Sequence, residues 1–257
     1  MLEFDIVKIN SIFPKALQEK LVGRNENQFA VRVFSQAVTA KSLPQYIDHT
    51  QLSRQAELSA IVACCEEAMK YNFKAVCTYE KFLPDCVRIL AGSGCLLASV
   101  VDFPEGQGGL AAKLEQAKRV AAIGADEIDF VIDWRSLKQK IYEPVFDECA
   151  AIVRAVQIPV KVILECSELT SDEKYIAAFL AKQAGVAFVK TSTGFSKKGG
   201  ATIEDIKILR EIVGEAIGVK ASGGVRTYAQ VKAFIESGAD RIGCSQSVAI
   251  LQEALNA

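Results

Sequence analysis

The chain has 257 residues, 30 Lys plus Arg against 31 Asp plus Glu, a formal net charge of -1, and 50% apolar residues. That balance excludes an intrinsically disordered chain and gives no long-range attraction to nucleic acid or to an anionic membrane. No apolar run approaches the ~20 residues a membrane-spanning helix needs. Met1 to Asn10 lacks the charged-then-apolar build of a signal peptide, so the sequence reads as a cytoplasmic protein.

The first 44 residues stand apart. KALQEKLVG predicts a helix ended by Gly23, AVRVFSQAV fits strand or helix, and Asn25 to Gln28 form a polar break. We expect residues 1–44 to be an N-terminal extension, helical in part, packed on the main domain or on a partner subunit. Residues 45–257 are expected to form one catalytic domain.

From residue 45 onward one pattern recurs. A short apolar run is followed by a helical pattern, a Gly or Pro, and another apolar run. QYIDHT, KAVCTY, LLASVVDF, DEIDFVID, PVKVILE, AFVKTST, GVKAS and DRIGC give eight strand candidates. Between them LSAIVACCEEAMK, LAAKLEQAKRVAAIG, EPVFDECAAIVRAV, DEKYIAAFLAKQAG, TIEDIKILREIVG and TYAQVKAFIESG space their apolar residues by three and four, as a helix with one buried face does. AAIGADEIDFV, KQAGVAFVK and IESGADRIGC echo one another as helix end, Gly, turn and strand. The strands are nearly continuous in apolar residues, as when both faces are covered. Eight such units predict an α/β fold, a (β/α)8 TIM barrel. An open doubly wound sheet is the alternative, and no GxGxxG after the first strand supports it.

Eight cysteines lie in apolar stretches and none forms a CxxC pair, so buried thiols explain them better than a disulfide framework. His49 is the only histidine. Zinc ligation by Cys and His is therefore disfavoured, and a Ser-His-Asp triad would have to use His49 without a GxSxG motif.

The barrel fold places chemistry at the C-terminal ends of its strands. Lys161, Lys190 and Lys220 lie within strands five, six and seven, where lysine is depleted. One such lysine is explained by a head that snorkels to water or pairs with an acid. Three on consecutive strands suggest a site. Neighbouring strands lie ~4.8 Å apart, so two inward ammonium groups about 5 Å apart would repel by roughly 3 kcal/mol at an effective dielectric of ~20. That corresponds to about two pKa units, and places one lysine near pKa ~8, partly neutral and able to attack a carbonyl, while the second remains charged and can move protons.

Asp129 sits mid-strand between Ile128 and Phe130 and needs a cation, either as a structural ion pair or as a proton shuttle. Asp48, at the end of the first strand, is a second candidate, with a helix cap as its other reading. Glu165, Asp102 and Asp133 rank lower because such positions often only bond loop amides. SGGV at residues 222–225 follows strand seven, and GCSQS at 243–247 follows strand eight and opens the last helix. Those are the places where barrels of this kind hold phosphate, on glycine amides and a helix N-terminus. Arg226 is either an assistant or a surface residue. TSTGFSKKGG reads as a polar loop over the site, with Lys197 and Lys198 either solvated or attracting an anionic substrate.

At these residues the chain resembles the deoxyribose-phosphate aldolase family. FVKTSTGF is similar to that family's Schiff-base lysine motif, KASGGVRT to its second-lysine and phosphate segment, and ADEIDFVID to its catalytic-aspartate segment. YIDHTQL, AVCTYEKFLP, PVKVILECSEL and RIGCS match in the same order, so the resemblance runs from Tyr46 to Leu251. It implies a class I aldolase that cleaves 2-deoxy-D-ribose 5-phosphate to acetaldehyde and D-glyceraldehyde 3-phosphate, reversibly, without metal or organic cofactor, in a homodimer or homotetramer. It implies Lys190 as the Schiff-base former, Lys220 as the lysine that perturbs it and relays protons, and Asp129 as acid/base. Lys161 would be a supporting charge and Asp48 a hydrogen-bonding group near the substrate. Thr193, Gly194, Gly223, Gly224, Gly243 and Ser245 would hold the phosphorylated substrate. The chain departs from the family pattern at Phe195, where some members carry Lys, and at Gln246, where many carry a second Ser, with Ser247 nearby.

Two other readings compete. One is a different Schiff-base phospho-sugar barrel, such as a transaldolase-like enzyme. The other is a degenerate barrel that binds a sugar phosphate without catalysis, which would have lost a catalytic lysine or acid. A metal-dependent aldolase needs histidine ligands that this sequence lacks.

Overall fold

The computed structural model describes residues 12–22, 29 and 38–257. Eight parallel strands close into a barrel in the order β1 to β8. They are β1 (Ile47–Thr50), β2 (Ala75–Thr78), β3 (Leu96–Val101), β4 (Glu127–Val131), β5 (Val160–Ile163), β6 (Phe188–Lys190), β7 (Gly218–Ser222) and β8 (Arg241–Cys244). All eight strands anticipated from the sequence are present. Each is followed by a helix on the outside of the barrel, as the expected (β/α)8 architecture requires.

The described helices are α1 (Lys15–Val22), α2 (Leu58–Lys70), α3 (Leu83–Leu90), α4 (Gly109–Ile123), α5 (Trp134–Lys138), α6 (Tyr142–Ala155), α7 (Ser171–Gln183), α8 (Ile203–Val213), α9 (Tyr228–Glu236) and α10 (Ser247–Leu255). α3 and α5 were not read from the sequence. Both are short, and Pro84 in α3 looks like a breaker until it is placed in the first turn, where its missing N–H costs nothing. Asp133 caps α5 by accepting a hydrogen bond from Ser136 N at 3.1 Å. Gly124 ends α4 with φ 117°, and its N–H donates to the carbonyls of Val120 and Ala121.

Strand alternation divides the protein into two interiors. Outward residues such as Val76, Leu97, Ile128, Val162 and Val219 join the helices in one large apolar core. Inside the barrel the apolar part is small, consisting of Leu52, Cys77, Ala98 and Val100. The remainder of the barrel interior is charged.

The described part of the leading segment packs on the barrel. Phe13, Leu17 and Leu21 are buried. Phe13 stacks on Phe179 of α7 at 5.9 Å and meets Tyr142 of α6 edge-on at 5.3 Å. Lys20 reaches Glu143 and Asp147 of α6 at 2.7 and 2.9 Å. Gly23, the polar break from Asn25 to Gln28, and AVRVFSQAV as far as Ala37 lie outside the described residues.

One buried ion pair ties α4, α6 and the end of β4 together. Lys113 Nζ donates to Glu148 Oε2 at 2.7 Å and to the Val131 carbonyl at 2.8 Å, while Glu148 Oε1 accepts from Asp133 N at 2.7 Å. Lys113 is fully buried. Removing Glu148 leaves the buried cation only the more distant Asp102 at 3.6 Å, so Glu148→Ala is expected to cost about 3 kcal/mol in urea unfolding. A loss below about 1 kcal/mol would show that Lys113 finds water or another acid.

Candidate active site

Strand register brings the predicted charged residues into one barrel. Asp129 pairs with Lys161, Lys190 with Lys220, and Lys220 with Arg241. Like charges on facing strands are unfavourable unless an anion lies between them. Asp129 is that anion. Its Oδ2 accepts from Lys190 Nζ and from Lys220 Nζ, each at 2.8 Å, and its Oδ1 accepts from Lys161 Nζ at 3.0 Å.

The pairs continue into a closed ring. Lys161 Nζ meets Glu127 Oε2 at 2.6 Å, and Glu127 Oε1 meets Arg241 Nη2 at 2.8 Å. Arg241 also bonds Asp48, and Asp48 bonds Lys220. Lys220 returns to Asp129. Three carboxylates thus alternate with three cations around the ring. Lys190 hangs on Asp129 as a fourth cation, and all seven groups are buried.

The ring sets the ionisation of its members. Burial alone would raise Asp129, but Lys161, Lys190 and Lys220 hold it well below the ordinary carboxylate range. Burial likewise opposes ionisation of Asp48, and Arg241 and Lys220 keep it low. Burial works to lower Lys220 and Lys161, yet the facing carboxylates raise both above the usual lysine value. Lysine repulsion was expected to lower one lysine. Lys220 moves upward under the carboxylates lodged between the strands, in keeping with the expectation that the second lysine stays charged. The carboxylate character of Asp129 belongs to the native state. Its stabilising contribution is complete above the unfolded value of 3.8 and is lost as pH falls toward its depressed folded value.

A cavity of about 310 Å³ opens above the ring. Of the charged network, only Lys190 lines it. The other walls include Thr193, Gly194, Gly223, Gly224, Gly243 and Ser245, the whole predicted substrate-binding set. Thr50, Gln51, Leu52, Ser53, Phe195, Ser222, Val225 and Cys244 complete the lining. The stretch from Thr50 to Ser53 was not assigned a role from the sequence, although its place at the C-terminal end of β1 is the available signal.

The glycine-bearing loops meet by backbone contact. Gly223 has φ 87°, and a Cβ there would lie 3.0 Å from Gly200 Cα and 3.2 Å from Gly194 Cα. Ala201 N donates to the carbonyls of Ser222 and Gly223, fastening the TSTGFSKKGG loop to the turn after β7. Among the described residues, the amides of Gly194 and Gly224 donate to no acceptor in the chain. Glu165, buried beneath that loop, accepts from Thr193 N and Thr193 Oγ1. The Thr193 hydroxyl is therefore engaged in holding the loop, although Thr193 borders the cavity.

Several peripheral expectations are sorted by position. Arg226 and Lys197 are not among the cavity's lining residues, and Lys198 pairs with Glu168 at 2.7 Å. Ser247 is fully buried behind β8, where it donates to the Cys244 carbonyl and touches His49 Nδ1 at 2.9 Å. It offers no hydroxyl to the cavity, so Ser245 is the hydroxyl at that end. The His49–Ser247 contact is equally closed to substrate. Asp102 accepts from Gly108 N at 2.8 Å and Asp133 caps α5, the loop-binding roles given to them. Glu127 and Arg241 are the ring members that sequence reasoning missed. Each lies two residues before an assigned residue of its own strand, Asp129 and Gly243, and so faces the same interior.

Among the described residues no group of three or more His, Cys, Asp or Glu side chains is arranged to hold a metal ion. All eight cysteines are free, and seven are buried.

These features place the chain among the barrel aldolases. A family model described as DeoC/LacD family aldolase matches residues 42–253, and the chain belongs to that family. It is 45% identical over 208 residues to the deoxyribose-phosphate aldolase of Coprothermobacter proteolyticus, covering 80% of this chain and 94% of that protein. Its fold matches the crystal structure of a Coccidioides immitis protein with TM-score 0.84 and 33% identity, over 99% of this chain and 100% of that one. It also matches the tetrameric deoxyribose phosphate aldolase of Aeropyrum pernix with TM-score 0.77 and 30% identity, over 83% and 91% of the two chains.

Gly243 leaves the space that Lys220 occupies. A Cβ at that position would lie 3.0 Å from Lys220 Cε and 3.1 Å from Ser222 Cβ. Gly243→Ala is expected to displace the Lys220 stem and lower kcat at least about tenfold, since small misplacements of a reacting constellation are costly. Circular dichroism should show the fold retained. Full activity in a folded Gly243→Ala variant would mean that Lys220 does not need its observed position.

Proposed function

We propose that the protein is a class I deoxyribose-phosphate aldolase. It cleaves 2-deoxy-D-ribose 5-phosphate to acetaldehyde and D-glyceraldehyde 3-phosphate and runs the reverse addition. The observation that carries this assignment is that a glycine-walled cavity reaches one lysine of the buried network, Lys190, with Lys220 and Asp129 in contact beneath it.

Neutral Lys190 attacks the C1 aldehyde of the open sugar. The carbinolamine hydroxyl takes a proton from Lys220 and leaves as water, which gives the protonated imine and leaves Lys220 neutral. The imine withdraws electrons as the C2–C3 bond breaks, and the C3 hydroxyl loses its proton to the Asp129–Lys220 pair. Glyceraldehyde 3-phosphate leaves. The remaining enamine takes a proton at C2, and water hydrolyses the imine to acetaldehyde and Lys190. No redox partner or metal enters these steps.

The two members of the pair divide the proton's path. Asp129 is held ionised, so the C3 proton passing through it comes to rest on Lys220, which gave up its own proton to the departing water and whose affinity is raised. Lys161 and Asp48 keep the carboxylate and the relay lysine in place. The phosphate sits at the glycine end, on amides of Gly194, Gly223, Gly224 and Gly243, with the Ser245 hydroxyl. Phe195 stands where a lysine would add charge, so the amides carry more of the anion's binding.

The same reading takes residues 1–44 as an extension to the catalytic barrel of 45–257. It makes the protein a homo-oligomer, as the Aeropyrum pernix protein is. Eight unpaired thiols support a cytoplasmic location. No described helix is long and apolar enough to cross a membrane.

The test is release of acetaldehyde and glyceraldehyde 3-phosphate from deoxyribose 5-phosphate. Lys190→Ala is expected to lower kcat by about 10⁴ or more, the scale on which covalent nucleophiles are lost. A purified native protein that leaves the sugar intact, or a Lys190→Ala variant within about tenfold of native, overturns the assignment.

A further inference from the structure

The ion ring has an edge that the reaction does not touch. Arg241 and Glu127 are joined at 2.8 Å, both are buried, and neither lines the cavity. Phe188 packs beside this edge, with its ring centroid 5.5 Å from Arg241 Cζ and 5.8 Å from Lys161 Nζ. From this edge two routes lead to the reacting lysine. Arg241 bonds Asp48, which bonds Lys220, and Glu127 bonds Lys161, which bonds Asp129. Both routes end on groups that hold Lys190 or share its carboxylate.

The charge count gives this edge a consequence. With every member ionised, four cations face three carboxylates. Each ring cation touches two carboxylates, whereas Lys190 touches one, and that one it shares with Lys161 and Lys220. Lys190 is also the member that borders the cavity, where a proton can leave. A neutral Lys190 leaves three cations against three anions. The groups facing Lys190 are Asp129 from β4, Lys220 from β7 and, at 6.0 Å, the Phe103 ring beyond β3. Cys77 on β2 and Glu165 beyond β5 also feel its charge, and Lys161 and Asp48 stand behind the first contacts.

We propose that Arg241 and Glu127 are positioning residues which, by balancing the ion ring from its far edge, set the pH at which Lys190 becomes a nucleophile. The proposal rests on the aldolase reading above. Neutralising Glu127 leaves four cations against two anions, and Lys190 sheds its proton more readily. Neutralising Arg241 leaves a network that is balanced only with Lys190 charged, and Lys190 keeps its proton. The two changes therefore act in opposite directions on one observable.

The experiment measures kcat/KM for deoxyribose 5-phosphate cleavage against pH in the full chain. Glu127→Gln is expected to move the acid limb down, and Arg241→Gln to move it up. Each shift should be about one pH unit, as for a unit charge about 10 Å away at an effective dielectric of ~20. Arg241→Lys keeps the charge and should keep the native limb, at reduced kcat. The double variant Glu127→Gln/Arg241→Gln restores the balance, and its limb should return to the native position. It also carries the test where a single variant does not fold, since a limb displaced by about a unit or more would contradict the proposal. Shifts of the same sign, or lowered kcat with unmoved limbs in both single variants, reduce Arg241 and Glu127 to structural partners. A native enzyme without cleavage activity defeats the aldolase reading itself, whereas an active native enzyme with unmoved variant limbs defeats only the ring.

Discussion

Asp129 is the point on which the barrel interior depends. It lies fully buried on β4 and accepts from three lysines carried by β5, β6 and β7. Without it Lys190 and Lys220, register partners on adjacent strands, would face each other unpaired at the buried floor of the cavity. A buried charge is tolerated only when its partners replace the lost hydration, and breaking such a pair costs about 3–5 kcal/mol. The rest of the ring follows from that requirement. Lys161 and Lys220 bring a second contact each, those contacts need Glu127 and Asp48, and Arg241 joins the two acids.

An apolar filling of the same volume is often as stable as a buried ion network or more so. The barrel contains such a filling on one side, in Cys77, Ala98 and Val100. On the other side it keeps seven ionisable groups, and only one of them opens to the cavity. That asymmetry is what catalysis requires. On the proposed reaction, charge and proton carriers stay fixed below the floor, Lys190 alone meets the substrate, and glycine backbone at the far end leaves room for an anion. Loop packing serves the same arrangement. Glu165 anchors Thr193, and close backbone contact between Gly200 and Gly223 holds the β6 and β7 loops together over the cavity.

Much of this was legible in the residues. The strand and helix periods produced all eight strands, because parallel strands covered on both faces are continuous in apolar residues and the charged exceptions stand out. Lys161, Lys190, Lys220, Asp129 and Asp48 were visible as those exceptions, and the structure gathers them. Glu127 and Arg241 were passed over because each lies near the start of a strand, where a charge reads as a solvent-facing end. Strand stagger in a closed barrel turns both inward to one level with Asp48 and Lys161. The placing of the acids that hold the second lysine charged was hidden for a related reason. Pairwise repulsion can be estimated from strand spacing, but the position of a third group between them depends on registers that the sequence does not display. α3 escaped because Pro84 masks a helix start, and Ser247, named from the sequence as a nearby hydroxyl, turns instead to the back of β8, where it bonds the Cys244 carbonyl.

The central claim is that one covalent bond forms, at Lys190. The most direct measurement is borohydride reduction of the enzyme with deoxyribose 5-phosphate or acetaldehyde, read by intact mass and peptide mapping. The account predicts a single substrate-derived adduct on the peptide that carries Lys190, absent from Lys190→Ala. An adduct on Lys220 would invert the roles of the two lysines, and a folded enzyme that gains no mass with either compound would contradict the Schiff-base mechanism altogether.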